Sequence, residues 1–179
     1  MKLIILDRDG VINYDSDDFI KSADEWIPIP GSLEALARMY HGGYRLVIAS
    51  NQSGIGRKLL TIDDLNGIHR KMTRELAKLG VQLDAIFICP HAPEANCYCR
   101  KPSPGLLLEI ATRFQIDLKG VPCIGDSWRD MQSALMVGAY PLLVLTGNGQ
   151  NTYDLHRHDL NGITVLPNLL AVSDVLLFS

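Results

Sequence analysis

The fold is indicated first by the stretch Leu3-Ile4-Ile5-Leu6-Asp7-Arg8-Asp9-Gly10. In it, four apolar residues are followed directly by two carboxylates and a glycine. A short apolar run that ends in charge is typical of a buried strand in a parallel sheet. Gly10 lets the chain turn away at once after the acidic pair. The segment therefore predicts a first strand whose carboxyl end holds two acidic side chains.

Further apolar runs follow this strand, and amphipathic stretches separate them. The runs cover 45–49, 85–88, 121–124 and 142–145, with a weaker one at 163–166. Helices are expected at 32–41, 61–79, 104–114, 130–138 and 168–178, with Ser32 and Thr61 as caps of the first two. This alternation implies right-handed crossovers and a parallel sheet covered on both faces. We expect a Rossmann-like three-layer α/β/α fold, with residues 1–179 forming a single domain.

The composition limits the classes of partner. The chain has 179 residues, a net charge of -3 and 21% charged residues. No dense basic run is present, so a nucleic-acid partner is not expected. No stretch approaches the roughly 20 apolar residues that span a bilayer, and the first apolar run is too short for a signal-peptide core. We expect a cytoplasmic protein, working as a monomer, without a membrane partner.

Polar side chains follow the predicted strands where each strand ends. Asp7 and Asp9 follow the first strand, Ser50 closes the second, and Asp126 follows the fourth. Ligands of such sheets bind beyond the carboxyl ends of the strands, where these side chains meet. Two close carboxylates repel each other, so a cation is expected between them and Asp126, and Mg²⁺ suits oxygen ligands and phosphate best.

This set of side chains fits phosphate-ester chemistry. A carboxylate such as Asp7 can attack phosphorus and form an acyl phosphate. A second acid is needed to protonate the leaving oxygen and later to activate water. Charge on the transferring phosphoryl group needs donors and a cation, and Ser50 and Lys101 are suitable.

Three thiols and one imidazole fall in one short window. Cys89, His91, Cys97 and Cys99 form a complete tetrahedral set for a structural Zn²⁺. In a reducing compartment such clustering favours a metal over disulfides, although reduced, empty thiols are the alternative. Because the window ends just before Arg100 and Lys101, we expect the loop 89–101 to bind zinc and to present both cations.

The order of these motifs resembles the haloacid dehalogenase (HAD) superfamily of phosphohydrolases. The matching motifs are Asp7-x-Asp9-Gly10, Ser50, Lys101 and Gly125-Asp126-x-x-x-Asp130. The resemblance implies that Asp7 is the nucleophile, that Asp9 is the general acid/base, and that Ser50 and Lys101 hold the phosphoryl group. It implies a Mg²⁺ site formed by Asp7, the backbone carbonyl of Asp9 and Asp126, with Asp130 in support. No inserted segment is long enough for a separate domain, so only a minimal cap is expected.

Residues 7–13, 50–55 and 89–102 resemble, more narrowly, the heptose-bisphosphate phosphatases of that superfamily. The resemblance implies removal of the C7 phosphate of D-glycero-D-manno-heptose 1,7-bisphosphate, on the route to activated heptose for lipopolysaccharide. It implies that Arg100 helps to recognise the sugar bisphosphate and that 13–30 is a substrate loop. The remaining residues implied to line the substrate site are Asp15, Ser16, Asp17, Asp18, Asn51, Gln52 and Ser53. Many relatives have Lys after the fourth-motif Asp, where this chain has Ser127.

Alternative interpretations stay open at this point. A histidinol-phosphate phosphatase would share the aspartate pair, the zinc cysteines and the Arg100-Lys101-Pro102 segment. A catalytically silent, zinc-stabilised binding protein is a second alternative, which the intact acidic motifs disfavour. The acidic run at 15–18 is equally compatible with a solvated loop. A surface cation is a less favoured alternative for Arg100.

Overall fold

The apolar run at the start of the chain lies in the middle of a parallel sheet. The computed structural model describes residues 1–178. Its strands are β1 (Lys2–Leu6), β2 (Tyr44–Asn51), β3 (Ala85–Cys89), β4 (Pro122–Gly125), β5 (Tyr140–Val144) and β6 (Thr164–Leu166). Within the described range they form one six-stranded sheet of order β3-β2-β1-β4-β5-β6, and every pairing is parallel. The predicted fold class is confirmed.

Helices cover both faces of this sheet. They are α1 (Ser32–His41), α2 (Ser53–Gly56), α3 (Ile62–Ala77), α4 (Gly105–Phe114), α5 (Trp128–Met136), α6 (Gly149–His156) and α7 (Leu169–Phe178). The five predicted helices are present, whereas the single turn of α2 and the polar helix α6 were not predicted. None of these helices, taken over residues 1–178, is long and apolar enough to cross a membrane.

The two predicted helix caps have different outcomes. Thr61 caps α3 as predicted, because its hydroxyl accepts from the backbone N–H of Asp64 while the Asp64 carboxylate accepts from the backbone N–H of Thr61. The prediction for Ser32 is wrong. Gly31, with φ at +83°, is the N-cap of α1, and the Ser32 hydroxyl instead donates to the backbone carbonyl of Ile12 at 2.6 Å. That bond ties α1 to the chain just after the acidic pair.

The core has two sides because β1 is buried on both faces. Ile4 and Leu6 pack with α1, α3 and α7 on one side, whereas Leu3 and Ile5 pack with α4 and α5 on the other. Alternation along a strand sends neighbouring side chains to opposite faces, so a fully apolar strand must lie between two layers. This burial fixes the position of the acidic residues that follow β1.

The segment 13–30 folds back against α3. Trp26 is completely buried, and the Lys71 ammonium in α3 donates to the backbone carbonyls of Ala23 and Trp26 at 2.7 and 2.9 Å. The same ammonium lies 5.8 Å from the Trp26 ring centroid, within the range of a cation–π contact. These contacts hold the segment as a wall beside the carboxyl ends of the strands.

Candidate active site

Three carboxylates meet at the carboxyl end of the sheet. Asp7 follows β1, Asp126 follows β4, and Asp130 lies in the first turn of α5. One carboxylate oxygen of each lies within 4.8 Å of the others. Burial, and next repulsion from the neighbouring carboxylates, raise the pKa of Asp126 to about 8. Burial also raises the pKa of Asp7 to about 7, although the charge of Lys101 acts to lower that pKa. Ionised carboxylates in this cluster repel one another, so a bound cation would stabilise their charged forms.

Lys101 lies beneath this cluster and is almost inaccessible to solvent. Its ammonium lies 2.6 Å from Asp130 Oδ1 and 3.3 Å from Asp7 Oδ1, and donates to the Ala49 carbonyl at 2.8 Å. Burial by itself lowers the pKa of Lys101, but Asp130 and Asp7 outweigh it and raise that pKa above its ordinary value. The lysine therefore stays charged beside Asp7.

Asp130 joins Lys101 to the start of α5. Its Oδ2 accepts from the hydroxyl and the backbone N–H of Ser127 at 2.6 and 3.0 Å, which completes a capping box. Its other oxygen contacts the Lys101 ammonium. Asp130 is thus engaged by a cation and a helix cap. Within this cluster, the side chains left to bind a metal ion are those of Asp7 and Asp126.

The position of Asp126 depends on two close glycines. A Cβ on Gly10 or on Gly147 would collide with the Asp126 carboxylate, and both glycines have positive φ. The backbone N–H of Asn148 donates to Asp126 Oδ2 at 2.8 Å, and the Thr152 hydroxyl donates to its backbone carbonyl at 2.9 Å. The loop after β5 therefore orients this carboxylate from behind.

Asp9 is held by three side chains. Arg8 donates from Nε to Oδ1 and from Nη2 to Oδ2, both at 3.0 Å. Asn13 donates to Oδ1 at 2.8 Å, and Gln52 donates to Oδ2 at 2.9 Å. Ser50 is fully buried and its hydroxyl accepts from Gln52 at 2.9 Å, so Ser50 lies behind Gln52.

A cleft of about 840 Å³ opens above these groups. Its walls contain Asp7, Asp9, Lys101, Asp126 and Asp130, together with Tyr14, Asp15, Ser16, Asp17, Phe19, Ile20, Asn51, Gln52 and Ser53. Of the residues predicted to line a substrate, Asp18 is not part of this wall as far as the described residues extend. Burial, and next the Asp9 carboxylate, raise the pKa of Asp15. Asp15 and Asp17 therefore add acidic groups to the cleft wall.

The cleft wall also contains three arginines. They are Arg57, Arg100 and Arg129, of which only Arg100 was predicted. Arg100 Nη1 is buried without a hydrogen-bond partner among residues 1–178. Burial, and next the charge of Arg129, lower the pKa of Arg100. Asn51 fixes the neighbouring backbone by bonding the N–H and the carbonyl of Lys101, both at 3.1 Å. An anion would relieve the repulsion between the guanidinium groups.

The thiol window folds into a compact cluster. The Cys89 Sγ lies 3.5 Å from that of Cys97 and 3.3 Å from that of Cys99, and Cys97 and Cys99 are 3.6 Å apart. His91 Nδ1 lies 3.6 Å from Cys89 and 3.3 Å from Cys99. Edges of this length surround a centre roughly 2 Å away, close to the lengths of Zn–N and Zn–S bonds. The four donors therefore fit one tetrahedral ion.

The same cluster favours a thiolate. Burial opposes ionisation of Cys97, but hydrogen bonds from the Cys89 and Cys99 thiols and from the backbone N–H of Arg100 lower the pKa of Cys97 to about 7. A thiolate is the form that binds a metal. Cys123 lies elsewhere, buried in β4, where burial raises its pKa to about 12.

The comparisons with known proteins agree with this geometry. A family model described as polynucleotide kinase 3 phosphatase matches residues 2–131, and one described as HAD-hydrolase-like matches residues 98–172. The D-glycero-β-D-manno-heptose-1,7-bisphosphate 7-phosphatase of Bordetella bronchiseptica is 53% identical over 99% of this chain and 98% of its own length. The protein of the same name from Pseudomonas aeruginosa is 44% identical over 98% of this chain and 97% of its own.

Solved structures of heptose 1,7-bisphosphate phosphatases also resemble this chain. The crystal structure of D,D-heptose 1,7-bisphosphate phosphatase from B. bronchiseptica, complexed with magnesium and phosphate, matches with a TM-score of 0.95 at 53% identity, over 99% of this chain and 98% of that one. The corresponding protein from Burkholderia thailandensis matches with a TM-score of 0.77 at 42% identity over all of both chains.

Proposed function

Because this chain belongs to the HAD-like phosphatases, and within them to the D-glycero-β-D-manno-heptose-1,7-bisphosphate 7-phosphatases, we infer that it removes the C7 phosphate of that β-configured heptose bisphosphate. It is a phosphoric monoester hydrolase. The observation that best supports the proposal is a single cleft whose wall contains Asp7, Asp9 and Lys101 together with three arginines.

In the first step, an Asp7 oxygen attacks phosphorus, and the bond from phosphorus to the C7 oxygen breaks. The Asp9 carboxyl gives its proton to that leaving oxygen, so the sugar departs as a neutral alcohol. The product on the enzyme is an acyl phosphate at Asp7. Lys101, which lies 3.3 Å from Asp7, offsets the negative charge around the transferring group.

In the second step, water attacks the same phosphorus and gives its proton to the ionised Asp9. The bond from phosphorus to the Asp7 oxygen breaks, which releases inorganic phosphate and restores the Asp7 carboxylate. Asp9 has then recovered the proton it gave to the sugar. Ser50 is proposed to take part in holding the phosphoryl group, although its hydroxyl is bonded to Gln52.

Two metal ions fit the donor sets. Asp7, Asp126 and the backbone carbonyl of Asp9 would hold Mg²⁺, which would neutralise charge on the phosphoryl oxygens and on the two carboxylates. Cys89, His91, Cys97 and Cys99 would hold Zn²⁺. Four protein ligands leave no position for substrate, so the zinc would be structural and would fix the loop before Arg100.

The second phosphate of the sugar would lie against the arginines of the cleft wall. Arg100 has a buried nitrogen without a protein partner, and Arg57 and Arg129 line the same wall. Guanidinium groups suit phosphate because they offer two parallel donors. Ser127 cannot supply a cation and is engaged with Asp130, so the arginines would take this part.

The loop 13–30 would form the opposite wall of the sugar site, and the loop 89–101 would position the cations. Asp15, Ser16, Asp17, Asn51, Gln52 and Ser53 would contact the sugar; the same proposal for Asp18 lacks support from the cleft wall. We place the reaction in the cytoplasm, on the way to activated heptose for lipopolysaccharide, and expect a monomeric, single-domain enzyme over 1–179.

Turnover assays test this assignment. Purified protein with Mg²⁺ should hydrolyse the β anomer of heptose 1,7-bisphosphate faster than the α anomer and far faster than histidinol phosphate. Arg129→Gln should raise KM for the bisphosphate about tenfold, with little change for p-nitrophenyl phosphate, which has no second phosphate. A preference for histidinol phosphate would overturn the substrate assignment, and equal effects of Arg129→Gln on both substrates would overturn the second-phosphate site.

A further inference from the structure

Arg8 is a buried cation in the middle of the acidic motif. Its side chain is 0% exposed although it lies between Asp7 and Asp9 in sequence. A buried guanidinium is costly unless it is paired and fully hydrogen-bonded. Among residues 1–178, the carboxylate within ion-pair distance of Arg8 is that of Asp9, at 2.8 Å.

The contact between the two side chains is a fork. Arg8 Nε donates to Oδ1 of Asp9 and Nη2 donates to Oδ2, both at 3.0 Å, and Nη2 also lies 2.8 Å from Oδ1. A two-pronged contact restricts rotation of the carboxylate more than a single hydrogen bond does. The oxygens of Asp9 therefore keep one orientation relative to Asp7.

The rear of the guanidinium is held by residues far away in sequence. Arg8 Nη1 lies 3.3 Å from His69 Nε2, in α3, and Nη2 lies 3.4 Å from Gln52 Oε1. Burial, and next the charge of Arg8, lower the pKa of His69 to about 4. His69 is thus neutral near pH 7, and its Nε2 lone pair can accept from Arg8.

We propose that Arg8 is a positioning residue that orients the Asp9 carboxylate for proton transfer, and that His69 holds Arg8 in that orientation. The inference rests on the proposed acid/base role of Asp9. Proton transfer requires a short, aligned path to the leaving oxygen, and a carboxylate free to rotate meets that condition only part of the time.

A comparison of leaving groups tests the proposal. In Arg8→Met, transfer of the phosphoryl group from heptose bisphosphate to Asp7 should slow about 100-fold in a single turnover, because the sugar oxygen needs a proton. With p-nitrophenyl phosphate the first turnover should change less than about threefold, because nitrophenolate leaves without one. The steady-state rate should still fall, since Asp9 must then activate water. KM for heptose bisphosphate should change little, because both steps slow, whereas KM for p-nitrophenyl phosphate should fall together with kcat, because only hydrolysis of the acyl phosphate slows.

The controls separate positioning from loss of structure. Arg74→Met, on the exposed face of α3, should behave as wild type. An equal slowing of the first turnover on both substrates, or rates within twofold of wild type, would overturn the proposal. Wild-type protein that fails on heptose bisphosphate but turns over p-nitrophenyl phosphate with a burst would instead refute the substrate assignment alone.

A second pair of variants serves if Arg8→Met does not fold, as judged by circular dichroism. His69→Leu removes the acceptor behind Arg8, whereas His69→Gln keeps one. We expect His69→Leu to slow the sugar single turnover about fivefold and to spare the first aryl turnover, and His69→Gln to recover most of the loss. Identical rates in the two variants, or a loss shared by both substrates, would contradict the role of His69.

Discussion

Two clusters of side chains that could hold a metal ion lie at one edge of the sheet, and they differ in how completely their donors are engaged. The thiol cluster holds its donors at separations of 3.3–3.6 Å. All three residues of the carboxylate cluster line the cleft, but Asp130 is engaged by Lys101 and Ser127, which leaves Asp7 and Asp126 to hold an ion. One site can enclose an ion, whereas the other needs oxygens from a substrate or water to complete it. The same edge of the sheet can therefore hold a structural ion and a catalytic ion.

The largest effect on activity should come from removing the nucleophile in the carboxylate cluster, which we call the open site. Asp7→Asn should lower kcat by about 10⁴-fold or more, because amide oxygen is a poor nucleophile and no acyl phosphate can form. Zinc content and the circular dichroism spectrum should stay as in wild type. Asp63→Asn, an exposed substitution at the start of α3, serves as the control, and substantial turnover by Asp7→Asn would exclude the nucleophile role.

The pairing of Asp130 with Lys101 should have the next largest effect. Asp130→Asn leaves a buried ammonium without its 2.6 Å partner, so we expect a loss of about 3 kcal/mol in the free energy of unfolding and roughly 100-fold in kcat. Ser127→Ala removes one bond to Asp130 and keeps the ion pair, so it should cost about 1 kcal/mol and little activity. Urea denaturation and steady-state kinetics measure both. Equal behaviour of the two variants would show that the ion pair is unimportant.

Loss of zinc binding at the thiol cluster should reduce activity indirectly. Cys97→Ser should abolish tight zinc binding, lower Tm and reduce kcat/KM for the bisphosphate about tenfold, since the loop that presents Arg100 and Lys101 loses its anchor. Cys123→Ser, outside the cluster, should retain about one zinc per chain. Elemental analysis of both proteins decides the matter, and native protein that contains no zinc would refute the site.

The smallest effect expected is a pH dependence of stability in protein without Mg²⁺. Folding raises the pKa of Asp7 from 3.8 to about 7 and that of Asp126 from 3.8 to about 8. Between about pH 4 and pH 8 the folded state therefore binds more protons than the unfolded state, and stability falls as pH rises. We expect a loss of about 1 to 3 kcal/mol from about pH 5 to about pH 9.

Added Mg²⁺ separates this effect from general alkaline destabilisation. The ion should restore stability at about pH 9 and do little at about pH 5, because it binds the ionised carboxylates. In Asp7→Asn, the free energy of unfolding should depend less steeply on pH, because the contribution of Asp7 is removed. Denaturation curves that are flat across this range would contradict the charge crowding at the open site.

Much of the two clusters could be predicted from the sequence, because both depend on where strands end. Asp7 and Asp126 directly follow strands, and parallel strands bring their carboxyl ends to one edge. The thiol set lies within eleven residues, so a short loop suffices to bring it together. Asp130 was expected to support the Mg²⁺ site, and its contact with Lys101 is consistent with that expectation.

The remaining features depend on contacts between distant segments. His69 meets Arg8 across 61 positions, and no local pattern marks a single histidine on a helix. Arg57 and Arg129 lie far from Arg100 in the sequence, and they come to line the same cleft only after the loops are placed. Ser32 was misassigned because its hydroxyl bonds Ile12, a tertiary contact that outweighs its preference for helix caps.

Detection of an acyl phosphate on Asp7 tests the proposed nucleophile. Protein carrying Asp9→Asn, mixed with p-nitrophenyl phosphate and Mg²⁺ and quenched in acid, should hold one phosphoryl group. The aryl group leaves without a proton, and an amide in place of the Asp9 carboxylate cannot activate the water that would release the phosphate. Peptide mass spectrometry should find the phosphoryl group on Asp7. A phosphoryl group on another residue, or none while wild-type protein turns over the same ester, would contradict the central claim.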